Sequence, residues 1–154
     1  MWYCVMGILA ARHSLFLCAI ALLLSCEKGT ETDLPVTTIP VEQPCEVLEG
    51  CRAANDFLSV VVVFGSQARA LQPFPLQLRL DGHHQVESAT VAFSMIGMDM
   101  GLNRYQLAGD AMSAWNASVT LPICVSGRTD WVADFELLVD GRRFRLQIPF
   151  VLEK

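Results

Sequence analysis

An all-β fold is predicted for most of this 154-residue chain, and three observations predict it. Short apolar or alternating runs recur after residue 52, each of strand length and separated by turn-forming residues. No segment carries apolar residues at the 3.6-residue spacing of an amphipathic helix. Asp140-Gly141 separates the last two runs, a hairpin signal because both turn positions need positive φ. Seven such runs in about 100 residues match the arithmetic of a seven-stranded immunoglobulin-like β-sandwich.

The amino end has a different composition. Residues 1–25 hold one charged side chain, Arg12, whereas residues 26–154 hold 10 basic and 16 acidic ones, a formal charge of 10 − 16 = −6. Arg12 and His13 precede the uncharged run Ser14 to Ser25, a positive flank followed by an apolar stretch of signal-peptide length. The stretch is shorter than the roughly 20 apolar residues of a membrane span, so a cleaved signal over 1–25 is expected. Leu23-Leu24-Ser25-Cys26 resembles a bacterial lipobox. That resemblance implies that Cys26 becomes the acylated first residue of the mature protein, with the membrane as partner through a lipid anchor. The protein would face the periplasm, and Glu27 rather than Asp after the Cys points to the outer membrane by default. An ordinary secretory signal with a free Cys26 is the alternative.

Residues 26–51 are expected to be a lipidated Cys, a tether and a small Cys loop. Residues 27–44 contain three Pro and four Thr with no apolar period, the composition of an extended solvated linker. An irregular strand over Val36 to Val41 is the alternative. Three cysteines then remain for the domain, Cys45, Cys51 and Cys124. In an oxidising compartment Cys45 and Cys51 can close a short loop worth about 2 kcal/mol by chain entropy. Cys124 is then left over, although the spacing leaves a Cys45 to Cys124 bond open.

Within 52–154 the expected strands are Phe57 to Phe64, Phe74 to Leu80, Val86 to Phe93, Leu102 to Leu107, Trp115 to Leu121, Trp131 to Val139 and Arg143 to Leu152. In the last of these Phe144, Leu146 and Ile148 alternate with Arg143, Arg145 and Gln147, giving one buried and one wet face. If successive strands reverse direction, connections 65–73, 94–101 and 122–130 emerge at one pole, called upper here. Connections 81–85, 108–114 and 140–142 emerge at the other. Loops at one pole of a sandwich commonly form its recognition surface.

Met95, Met98 and Met100 fall within six residues of one upper connection, and Cys124 lies in another. Thioether and thiolate sulfur are soft ligands suited to Cu(I), so these four residues form a candidate metal site. Core filling is the competing reading, since Met adapts to irregular gaps. His83 and His84 lie in a lower connection beside Asp81-Gly82, and a strand of about eight residues places them roughly 25 Å away, out of reach. They are expected to form a solvated turn. The stretches SMIGMDMGLNRYQL and LPICVSGRTDW, followed by a final hairpin, resemble the Met-motif region of small periplasmic β-sandwich proteins of the YtkA-like and FixH-like type. The resemblance implies copper handling or oxidase assembly, with an envelope protein or a copper enzyme as partner. Ile96-Gly97 stands where that family has a Met-Pro pair, and no His is near it.

Other chemistry is disfavoured. Lys and Arg are scattered rather than clustered, which argues against nucleic acid. There is no nucleophile elbow, no Gly-rich phosphate loop and no zinc-hydrolase spacing, so no catalytic residues and no enzyme activity are expected. Asn116-Ala117-Ser118 reads as a chance sequon inside a strand. Asn103, Arg104, Tyr105, Arg128, Asp130 and Trp131 also gather near the upper pole. They suit a metal-free protein-interaction module, with charge pairing around the loops and a core place for Trp131 as the plainer roles.

Overall fold

The computed structural model describes residues 34–66, 68–98, 101, 103–109 and 114–152. The described residues contain nine strands and no helix: β1 Val36–Thr38, β2 Cys51–Ala54, β3 Ser59–Phe64, β4 Phe74–Asp81, β5 Val86–Met95, β6 Arg104–Gln106, β7 Trp115–Val119, β8 Asp130–Val139 and β9 Arg142–Val151. They form two sheets, ordered β1-β9-β8-β5-β6 and β2-β3-β4-β7. All seven expected strands are present, and the arrangement is a β-sandwich compatible with an immunoglobulin-like one.

Period-2 alternation builds the core. Val60, Val62 and Phe64 of β3 and Phe74, Leu76 and Leu78 of β4 face Val91 and Phe93 of β5, Phe135 and Leu137 of β8, and Leu146 and Ile148 of β9. The residues between them point outward, where the Nε and Nη2 edge of the Arg145 guanidinium donates to both carboxylate oxygens of Asp134. Among the described residues no polar or charged residue is buried. Rings concentrate in the upper half of this core. Phe64 lies 4.9 Å from Phe150 edge-on, 5.6 Å from Phe74 and 6.3 Å from Phe93. Such tilted contacts add to area burial.

The hairpin between β8 and β9 is the turn expected, with Asp140 at φ 50° and Gly141 at φ 70°. His84 differs from expectation. It is not a free solvated side chain but packs on Phe57 at 5.4 Å, with Nδ1 2.8 Å from Asp140 Oδ2. The His84 contact first, and the Gln85 amide second, hold the Asp140 carboxyl below its usual range.

The amino-terminal segment is also different. The expected tether ends earlier, because residues 36–38 pair in parallel with Arg143, Phe144 and Arg145 of β9. Ile39 follows, 1% exposed in the core, and Val41 then bridges Ala53 in the other sheet. The physical reason is that edge strands tolerate Pro and Thr, so a Pro- and Thr-rich stretch with two or three apolar residues can still pair. β2 begins at Cys51, so a domain boundary at 51/52 falls within a strand. Because β1 starts beside the start of β9, the chain enters the sandwich at the lower pole. On that side of β9 the described pairing stops at Arg145, and Pro149 lies further along.

Replacing Ile39 by Ala tests this assignment. A tether position would lose nothing, whereas a buried core position should lose about 2–5 kcal/mol in urea unfolding.

Candidate recognition surface at the upper pole

Four loops and the end of β9 meet at the upper pole. The 65–73 loop is tied by Leu71 N–H donating to Leu121 O at 2.8 Å, and the 45–50 loop by Phe64 N–H donating to Val47 O at 2.7 Å. The chain after β9 is tied by Leu152 N–H donating to Thr129 O at 3.0 Å. Tyr105 grips the base of the last loop: its hydroxyl donates to Thr120 O at 2.6 Å and accepts from Thr120 N–H at 3.1 Å.

The methionine segment is a tight turn. Met98 N–H donates to Met95 O at 2.9 Å and Met95 N–H to Met98 O at 3.3 Å, with Gly97 at φ 74° between them. That φ favours Gly. Directly opposed residues of an antiparallel pair project to the same side, with Cβ atoms about 4.5–5.5 Å apart. Met95 and Met98 therefore share one face. Met95 is 2% exposed and belongs to the core beside Trp131, while Met98 is 38% exposed above it. Met100 and Cys26 lie outside the described residues.

Arg128 joins this turn to the Cys124 loop. Its Nε donates to Asp130 Oδ1 at 2.8 Å, its Nη2 contacts Asp130 Oδ2, and the same Nη2 donates to Ile96 O at 2.9 Å. Charge pairing is thus the role of Arg128 and Asp130, and the pair holds the Asp130 carboxyl below its ordinary range. Cys45 and Cys51 are disulfide-bonded, which leaves Cys124 as a buried free thiol. Cys124 Sγ lies 2.9 Å from Ser126 Oγ. The Ser126 hydroxyl first, then its amide, lower the thiol's pKa against the opposing effect of burial, and the Arg128 amide and charge lower it further. Trp131 is a core residue, and Arg104 approaches Glu136 at 3.9 Å on the outer sheet face.

The structure adds residues that the sequence reading passed over. Of the nine large hydrophobics exposed among the described residues, seven lie at this pole: Leu48, Leu71, Ile96, Met98, Ile123, Val125 and Val151. Their signal in the sequence is an apolar residue inside a connection, as with Ile123 and Val125 on either side of Cys124, where no strand needs it. No group of three or more His, Cys, Asp or Glu side chains that could hold a metal ion occurs among the described residues.

No family model and no curated protein matches this chain. One solved structure, an engineered protein, is similar at 18% identity and a TM-score of 0.45, over 62% of this chain and 20% of that one.

The thiol environment is testable. Ser126→Ala removes the largest contribution lowering the Cys124 pKa, so the pH profile of Cys124 alkylation should move to higher pH. An unmoved profile would show that the hydroxyl does not stabilise the thiolate.

Proposed function

We propose that this chain is a lipid-anchored, non-catalytic recognition module of the cell envelope that works through its upper pole. The observation that carries the reading is the concentration of seven of nine exposed large hydrophobics on the loops of that pole. Exposed apolar side chains scattered singly need no explanation, but a cluster rimmed by polar residues marks an interaction surface. The anchor follows from the resemblance of residues 23–26 to a lipobox. The loops are braced from below by packed rings and by the Arg128 to Asp130 pair, so the surface is preformed. A preformed surface loses less conformational entropy on binding.

An apolar-surface dye such as ANS should bind the mature chain, and Ile96→Asp with Val125→Asp should reduce the signal several-fold. Both side chains are exposed, so stability should stay within about 0.5 kcal/mol of the parent. Dye binding that is unaffected by the two changes removes the upper pole as the working surface.

A second reading is favoured by one observation, the shared face of Met95 and Met98 on a turn tied to the Cys124 loop. On that reading Cys124, with at least two of Met95, Met98 and Met100, holds Cu(I) for copper handling. Soft sulfur favours Cu(I) over Zn(II). Titration of the reduced chain against a competing chelator should then give at least tenfold weaker binding for Cys124→Ser and Met98→Leu. Equal affinities in parent and variants would leave these sulfurs as packing groups.

A further inference from the structure

We infer that the outer face of the five-stranded sheet binds a small organic carboxylate between arginines on its flanking strands. The site goes beyond the recognition surface proposed above, because every residue that lines it stands on a strand and none on the upper loops. It is a groove of about 350 Å³. Small-molecule pockets usually measure roughly 300–1,000 Å³, so the groove suits a ligand at the small end of that range.

Sheet register builds the groove. Directly opposed residues of neighbouring strands share a face, so two rows cross the sheet side by side: Val36, Arg143, Leu138 and Ser88 in one, and Arg145, Glu136 and Thr90 in the other. Ser88 and Thr90 on β5 are short, whereas Arg143 and Arg145 on β9 and Arg104 on β6 are long. The arginines are walls beside a low floor. Arg104 crosses β5 to reach within 3.9 Å of Glu136 on β8, which brings its charge over the floor.

Charge selects the ligand. Arg145 is committed to Asp134, whose Oδ2 also accepts from Gln147 Nε2 at 3.0 Å. Arg104 is not committed in that way: its 3.9 Å approach to Glu136 exceeds hydrogen-bond length, and the two side chains are 58% and 59% exposed. A loose surface pair of this kind contributes little and yields to a better acceptor. Three guanidinium groups against Glu136 and Asp134 leave 3 − 2 = +1 among these described residues, on a chain of formal charge −5. One negative charge complements that balance, while the dianion of a phosphate would face Glu136 with a second. The guanidinium fork matches the two oxygens of a carboxylate, and Ser88 and Thr90 supply hydroxyl donors on the floor. Leu138 and Val36 give the ligand's body an apolar contact, and Val36, 52% exposed, is one of the two large exposed hydrophobics away from the upper pole.

The test is fluorine NMR of para-fluorobenzoate with the full chain, its variants, and two comparison ligands. Saturable binding is expected, weakened about fivefold by Arg104→Gln and strengthened about twofold by Glu136→Gln, as suits exposed charges. Ile96→Asp, at the upper pole, should leave it unchanged, and para-fluorobenzyl alcohol and inorganic phosphate should both bind more weakly than the carboxylate. Arg104 and Glu136 are exposed, so thermal unfolding of both variants should match the parent. Absence of saturable binding overturns the inference, and so does an unchanged affinity in Arg104→Gln. Weaker binding in Glu136→Gln would also overturn it, as would loss in Ile96→Asp, which would move the contact to the upper pole. Equal affinity for the alcohol would reduce the groove to apolar contact, and phosphate binding as tight as the carboxylate would refute the choice of a single charge.

Discussion

The sandwich depends on one constraint: its two sheets must bury their inner faces on each other. Ladder hydrogen bonds run within each sheet, and what joins the sheets is mainly apolar contact between alternate residues of β3 and β4 on one side and β5, β8 and β9 on the other. Apolar attraction is non-directional, so it fixes which residues lie inside but not how the loops sit. Loop geometry is settled instead by a small number of directional bonds, among them Arg128 to Ile96 O, Leu71 to Leu121 O and the Tyr105 hydroxyl with Thr120. Core and surface are therefore held by different physics.

The ring cluster links those two regimes. Phe64, Phe74, Phe93 and Phe150 occupy the upper ends of four strands, and Met95 continues the same inner face. Flexible thioether suits the irregular space where the face runs out. Met98, three residues on and across the turn, meets the outside instead. A single tight turn thus leads from buried Met95 to exposed Met98 on the same face, with Gly97 permitting the reversal. Cys124 is reached from another strand, and its thiol is conditioned locally by Ser126 and Arg128 rather than by the methionines.

Much of this was legible in the chain. Period-2 alternation is a local property, so the strands around Val62, Phe93, Phe135 and Leu146 could be read without knowing their partners. The poles followed from reversing direction at each connection, and Arg128 reaching Ile96 O brings two of the upper connections together as counted. What was not legible depended on distant partners. Val36–Thr38 is a strand only because β9, more than a hundred residues later, offers its edge, and nothing in VTT says so. Ile123 and Val125 escaped notice because an exposed and a buried apolar residue look alike in a sequence. The sequence puts Met95 in an upper connection, whereas β5 runs on to it and the parity that buries Phe93 buries Met95 as well; parity is broken at a turn, so Met98 could not be assigned by counting.

Pro149 has a consequence for how such molecules behave when crowded. Beyond Arg145 one flank of β9 runs past the end of β1, and a bare strand flank is a template on which another chain's backbone can zip. Its ring nitrogen carries no hydrogen, so any strand laid along that flank meets a missing donor and a bulky methylene where a bond should form. Proteins packed side by side on a surface meet flank to flank far more often than they would in dilute solution. One imino acid there makes this flank of β9 a poor template for another chain's strand.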